Sequence, residues 1–216
     1  MKQIVLGVVA VAASLVGLVA QGPPDPTCKM CPASYIPNDE IQAYVKKAIA
    51  ERLTDQQVRD VEIGKSHIGI GVVHRGKLAA PAADSVAEHD LVSEVYHVMS
   101  GSATLVLGAD LVGKQRRPST QTTVRNLNGP GNDAKSIRNG VAYELKVGDV
   151  VVIPAGTGHQ FTKIDDHVTY LMVRVDPDKI TPHKTEADSK ADLLTDGRGT
   201  AGGGAGAAGS GRENVR

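Results

Sequence analysis

Gly148-Asp149-Val150-Val151-Val152-Ile153-Pro154-Ala155-Gly156-Thr157-Gly158-His159 is the stretch that decides the reading of this chain. Gly148 and Asp149 have turn chemistry, and the β-branched run at 150–153 has the composition of a buried strand. Pro154 has no N–H to give to a ladder, so the strand should stop there. Gly156 and Gly158 allow a tight reversal, which delivers His159 at the start of the next strand, 160–164. One imidazole is thereby held on a stiff hairpin and aimed at a fixed point.

Upstream, the chain carries His89-Asp90-Leu91-Val92-Ser93-Glu94-Val95-Tyr96-His97-Val98-Met99-Ser100-Gly101. Together the two stretches resemble the paired motifs of the cupin family. Gly148, Pro154, Gly156 and His159 fill the second motif, a glycine, five residues, Pro-x-Gly, two residues and a histidine. The asparagine often found four positions later is Lys163 here. Glu94 with Gly101, and His89 before them, fit the first motif, but the first member of its usual His-x-His falls at Ala87.

The resemblance covers about residues 58–175 and implies an all-β fold. The expectation is a single double-stranded β-helix, a jelly-roll barrel, with one N-terminal helix and a disordered C-terminal tail. It also implies a metal held by His89, Glu94 and His159, with one usual ligand missing at Ala87. Two imidazoles and a carboxylate form a facial set with open positions, which suits Fe(II) and also admits Mn, Ni or Zn.

Strand alternation adds further candidates. Tyr96 and Val98 share a face with Glu94, whereas His97 points the other way. His74 shares a face with Ile68, Ile70 and Val72 and is the candidate replacement for the fourth ligand. Tyr96 could donate a hydrogen bond from the cavity wall, and Arg75 could clamp a carboxylate if it turns inward.

The remaining strands are expected at 58–63, 68–74, 94–99, 103–107, 122–125, 141–146 and 168–175. Residues 126–140, rich in Asn, Gly and Pro, read as a long loop over a cavity mouth. A helix is expected at 38–53, where Ile41, Tyr44, Val45, Ala48, Ile49 and Leu53 form one apolar face. Asp39 with Gln42 reads as its capping box.

Composition bounds the partners. The 216 residues carry 24 Lys+Arg and 24 Asp+Glu, intermixed and without a basic stripe, and aromatic residues amount to 3% with no Trp. Nucleic acid is therefore not an expected partner; the cupin resemblance implies a small-molecule ligand or substrate.

Lys2, an apolar run at 4–20 and then Pro23, Pro24 and Pro26 read as a signal peptide cleaved near Ala20. The rival is an uncleaved anchor, which would bring the membrane in as a partner. Export makes a Cys28–Cys31 disulfide permissible, and a structural clip is the expectation.

The chain thus divides into a signal peptide (1–20), a segment with the CxxC and helix (21–57), the barrel (58–176) and a Gly/Ala-rich tail (177–216). The resemblance suggests a homodimer. Two functions stay open: an exported metal-dependent enzyme of dioxygenase type acting on a small organic molecule, and a non-catalytic module binding a small ligand or metal.

Overall fold

The computed structural model describes residues 25–195. The apolar leader and the glycine-rich stretch at 200–211 lie outside the described residues. In chain order the elements are α1 (Asn38–Glu51), β1 (Asp55–Glu62), β2 (His67–Leu78), β3 (Val86–His89), β4 (Ser93–Gly108), β5 (Asp110–Val112) and β6 (Gln115–Arg116). A helical turn at Val124–Asn128 precedes β7 (Gly131–Ala134), β8 (Ser136–Arg138), β9 (Val141–Lys146), β10 (Val150–Ile153), β11 (Gly158–Asp176) and α2 (Glu186–Leu194).

The long strand β11 is the spine. It pairs antiparallel with β2 on one side and β4 on the other, and its start meets β3 at His159–Ala87. The ladder continues from β3 to β7 and β6, while β9 and β10 pair with successive halves of β4. Strands β5 and β8 make a separate pair.

The expected jelly-roll barrel is not formed: among the described residues no sheet closes on itself. Among the described residues β1, β6, β9 and β10 each pair on one side only, so the ladder ends in free edges. The reason lies in β9 and β10. Both are short, the turn at 147–149 lays them end to end along the same side of β4, and neither meets a strand on its outer edge. Val141, Tyr143, Val150 and Val152 on these strands are exposed.

Several expected breaks are continuous strand. The segments at 94–99 and 103–107 are one strand, β4, bent at Gly101, whose φ is 75° and where a Cβ would stand 1.9 Å from the His167 carbonyl oxygen. Likewise 160–164 and 168–175 are one strand, β11, with a register shift between Ile164 and His167. The strand expected at 122–125 is helical instead. Gln121 N–H donates to the Pro118 carbonyl and Arg125 N–H to that of Gln121, local bonds that override the β-branched composition. The loop expected at 126–140 carries β7 and β8.

Two apolar clusters hold the molecule. Tyr96, Val98, Leu105, Phe161, Tyr170 and Met172 pack on the inner side of the β4–β11–β2 surface. Ile41 and Tyr44 of α1 cover Val58 and Val72 on the outer side. Full burial of side chains of this size stabilises by about 1.5–3 kcal/mol each.

Helix α1 begins at Asn38 with Pro37 at its N-cap, so the expected Asp39–Gln42 capping box is absent. Gln42 donates instead to Asn38 Oδ1 at 3.4 Å, and Glu40 turns to pair with Arg59.

The tail expected to lose order after Asp176 is folded through α2. The buried Asp176 carboxylate accepts from Ile180 N–H, Thr181 N–H and Thr181 Oγ1, which pins the exit from β11. Thr185 and Asp188 form a capping box for α2. Tyr44 Oη, buried under α1, lies 3.0 Å from both the carbonyl and the hydroxyl oxygen of Ser189. Polar composition concealed this helix, because much of its attachment is by hydrogen bonds, with Leu193 alone packing on the Ile41–Tyr44 cluster. Cys28 and Cys31 are disulfide-bonded.

Candidate metal centre

Three elements bring the site together. His89 ends β3, Glu94 opens β4 and His159 opens β11. Gly156 shapes the turn before β11 with a φ of 80°, and its N–H donates to the His89 carbonyl at 2.7 Å. That bond ties the Pro-x-Gly turn directly to the strand carrying the other imidazole.

His89 Nε2 stands 3.5 Å from Glu94 Oε1, and His159 Nε2 stands 3.6 Å from Glu94 Oε2. One ligand atom from each of the three residues lies within 4.8 Å of the others, and all three residues are buried. With ligand bonds of about 2.1 Å, neighbouring donors sit about 3–3.4 Å apart around one cation. The spacing fits a divalent metal, and the two-nitrogen, one-carboxylate donor set leaves positions open.

Charge and protonation suit that use. Burial pushes the His89 imidazole down to about 3 against the opposing pull of Glu94, so the ring is neutral at pH 7. Burial likewise lowers His159, again opposed by Glu94. Burial pushes the Glu94 carboxyl up, yet His89, His159, Arg174 and the hydrogen bond from Tyr96 outweigh it and hold it at about 2. With both imidazoles neutral near pH 7, the lasting partners of the carboxylate are Arg174 and Tyr96. Burial and the Glu94 charge both raise the Tyr96 phenol, which therefore stays protonated and donates to Glu94 Oε2 at 2.7 Å.

Arg174 is the functional neighbour that sequence reasoning missed. It lies opposite Glu94 in the β11–β4 register, with Nε 3.6 Å from Oε1. Its other nitrogens donate to Gln57 Oε1 at 2.7 Å and to Asp55. The signal was available: counting in twos from Tyr170 along β11 puts Met172 and Arg174 on the inner face.

His74 is not brought to the site. Its Nδ1 shares a hydrogen bond of 2.8 Å with Thr169 Oγ1, and its ring stacks on His167 at 5.8 Å. Both faces of β2 are apolar, and the face shared by Val72 and His74 is the one under α1. The inner face carries Val73 and Arg75.

Arg75 therefore turns inward. Its guanidinium sits 5.0 Å from the Phe161 ring centre, close enough to Tyr170 to interact with its phenol, while its Nε is buried with no hydrogen-bond partner. His97 is exposed, on the opposite face from Glu94. Ala87 faces His159 across the β3–β11 pair, and lies two residues before His89 on the same side of β3. A methyl group thus occupies the place from which a further ligand would project.

No family model matches the sequence, and no curated protein matches it. Solved structures are similar at low identity. A Cupin 2 conserved barrel domain protein from Salinispora arenicola shares 17% identity over 57% of this chain and 76% of its own, with a TM-score of 0.33. Protein BH2720 from Bacillus halodurans shares 15% over 74% of this chain and 96% of its own, with a TM-score of 0.39. The DMSP lyase DddQ from Ruegeria pomeroyi shares 17% over 60% of this chain and 49% of its own, with a TM-score of 0.37. The chain spans about half the length of that lyase. The chemistry of the cluster rests on its own geometry.

Proposed function

We propose that this protein is an exported metal-dependent enzyme that oxidises a small organic anion, with His89, Glu94 and His159 holding the metal. The observation that carries this reading is the buried trio of donor atoms within 4.8 Å of one another. Bound there, Fe(II) would supply a Lewis-acidic, redox-active centre with free positions; Mn, Ni or Zn fit the same donors. In a dioxygenase-type reaction both atoms of O2 enter the substrate, so no separate reductant is needed.

The chain's own residues supply binding and orientation. Tyr96 fixes the Glu94 carboxylate by its hydrogen bond, and Arg174 keeps that carboxylate ionised. Among the charges around the site, Glu94, Asp55 and Asp133 balance Arg75, Arg174 and Arg117. A divalent cation therefore adds uncompensated positive charge, which supports an anionic substrate. Arg75, with its open Nε, is the residue placed to orient a carboxylate. The Cys28–Cys31 disulfide supports an oxidising compartment.

Ala87 favours a second reading, a non-catalytic binder of a small anion. Two measurements separate the readings. Elemental analysis of untagged protein should find about one equivalent of metal in wild type and little in His159→Ala with its fold intact. Oxygen uptake should then follow addition of a member of a hydroxy-acid and aromatic-acid panel. Metal-loaded protein that binds a panel member but consumes no oxygen would establish the binder in place of the enzyme.

A further inference from the structure

The two imidazoles differ in what stands behind them. His159 Nδ1 lies 3.5 Å from the Thr157 carbonyl oxygen, an acceptor. A proton on Nδ1 is satisfied there, and the Nε2 lone pair is free to face a cation. Metal-binding histidines ordinarily have this arrangement, with the distal N–H given to a carbonyl or carboxylate.

Behind His89 stands Arg117, on the segment following β6. Its Nε donates to Asp133 Oδ1 at 2.9 Å, and its Nη2 to the carbonyls of Glu88 at 2.8 Å and Asn132 at 2.9 Å. These three anchors fix the plane of the fork, and the remaining Nη1 faces His89 Nδ1 at 3.4 Å. A guanidinium has five N–H donors, no acceptor, and keeps its proton. A proton on His89 Nδ1 would set one N–H against another in a buried place.

We propose that Arg117 holds His89 as the Nε2–H tautomer, with its proton toward Glu94, so that His159 is preset as a metal ligand while His89 is preset as a donor. Binding a cation through His89 Nε2 then requires the ring proton to leave Nε2, and Arg117 opposes its arrival at Nδ1. Arg117 is thus a positioning residue that weakens the hold on the metal and makes the ion exchangeable. This consequence rests on the metal reading; the tautomer itself does not.

The first test uses wild-type protein freed of metal by chelation. Long-range 15N–1H correlation spectra near pH 7, with His89→Gln and His159→Gln to assign signals, report which ring nitrogen carries the proton. The expected result is Nε2–H for His89 and Nδ1–H for His159; a proton on His89 Nδ1 overturns the proposal.

The second test is calorimetry with Mn2+ and Zn2+ on wild type, Arg117→Gln and Arg117→Lys. Gln offers Nδ1–H an acceptor and should bind metal about tenfold tighter, within the range by which such outer partners change metal affinity. Lys keeps the donor and should stay near wild type. A folded Arg117→Gln protein that binds no tighter also overturns the proposal. If no variant binds either metal, the metal reading fails, and the wild-type spectra still decide the tautomer.

Discussion

Arg174 and Glu94 face each other across the β11–β4 ladder, buried, with Nε 3.6 Å from Oε1. The pair is the permanent electrostatic support of the candidate ligand carboxylate, because the imidazoles beside it are neutral near pH 7. Arg174→Met leaves the buried Glu94 and the half-buried Asp55 without their cation. Removing one partner of a buried pair costs about 3–5 kcal/mol. Urea denaturation of chelated protein should show a loss of that size, with part of it restored by a divalent metal. A variant as stable as wild type would refute the assignment.

Tyr96→Phe removes the 2.7 Å hydrogen bond to Glu94 but keeps the ring packed on Tyr170, whose centre is 4.3 Å away. The expected result is a native fold with metal affinity lowered about 10–100-fold, the usual effect of losing an outer-shell partner. Calorimetric titration reads the affinity, and circular dichroism checks the fold.

Ala87→His tests the empty ligand place. From its position opposite His159, an imidazole at 87 projects toward the same cluster. Metal binding should tighten, and X-ray absorption should count an additional nitrogen ligand. An unchanged coordination number would mean that the place is not within reach.

The buried histidines set a pH dependence for the metal-free protein. His89 titrates near 6.5 when unfolded and at about 3 when folded, so between those values the unfolded chain binds more protons than the native one. Stability therefore rises with pH across that window; it is fully present above about 6.5 and is lost as pH falls toward 3. In His89→Gln the slope over this window should flatten, as read from denaturant midpoints at a series of pH values. An unchanged slope would place the titration elsewhere.

Tyr44→Phe probes the attachment of α2. The variant keeps the apolar ring beside Val58 and Val72 but loses the contacts with Ser189. A net loss of about 1–2 kcal/mol is expected, because the Ser189 groups are left short of a partner. Hydrogen exchange should show α2 opening more readily than β11.

What the sequence made legible was whatever a local pattern fixes. The glycine and proline spacing at 148–159 placed a strand, a turn and a histidine, and the structure has all three. The chemistry of His89, Glu94 and His159 was readable because one motif positions each residue on its strand. The inner side of β2 was not readable, since Val72 and Val73 are equally apolar and only the placement of α1 decides which face is covered. His74 was consequently assigned to the site, and Arg75 was left conditional. Closure of the sheet was equally hidden, because alternation specifies faces and not edges. Arg117 carried no signal at all: its role comes from two backbone carbonyls and Asp133 meeting at one guanidinium.

The dominance of β11 sets the order of events during synthesis. This strand contributes His159, supplies Arg174 opposite Glu94, and is the common partner of β2 and β4. A nascent chain that has not yet emerged past Asp176 has His89 and Glu94 but neither the second imidazole in place nor the sheet that buries the first. The cluster is therefore complete only after nearly all of residues 58–176 has been made, and no shorter nascent chain carries the three donors together.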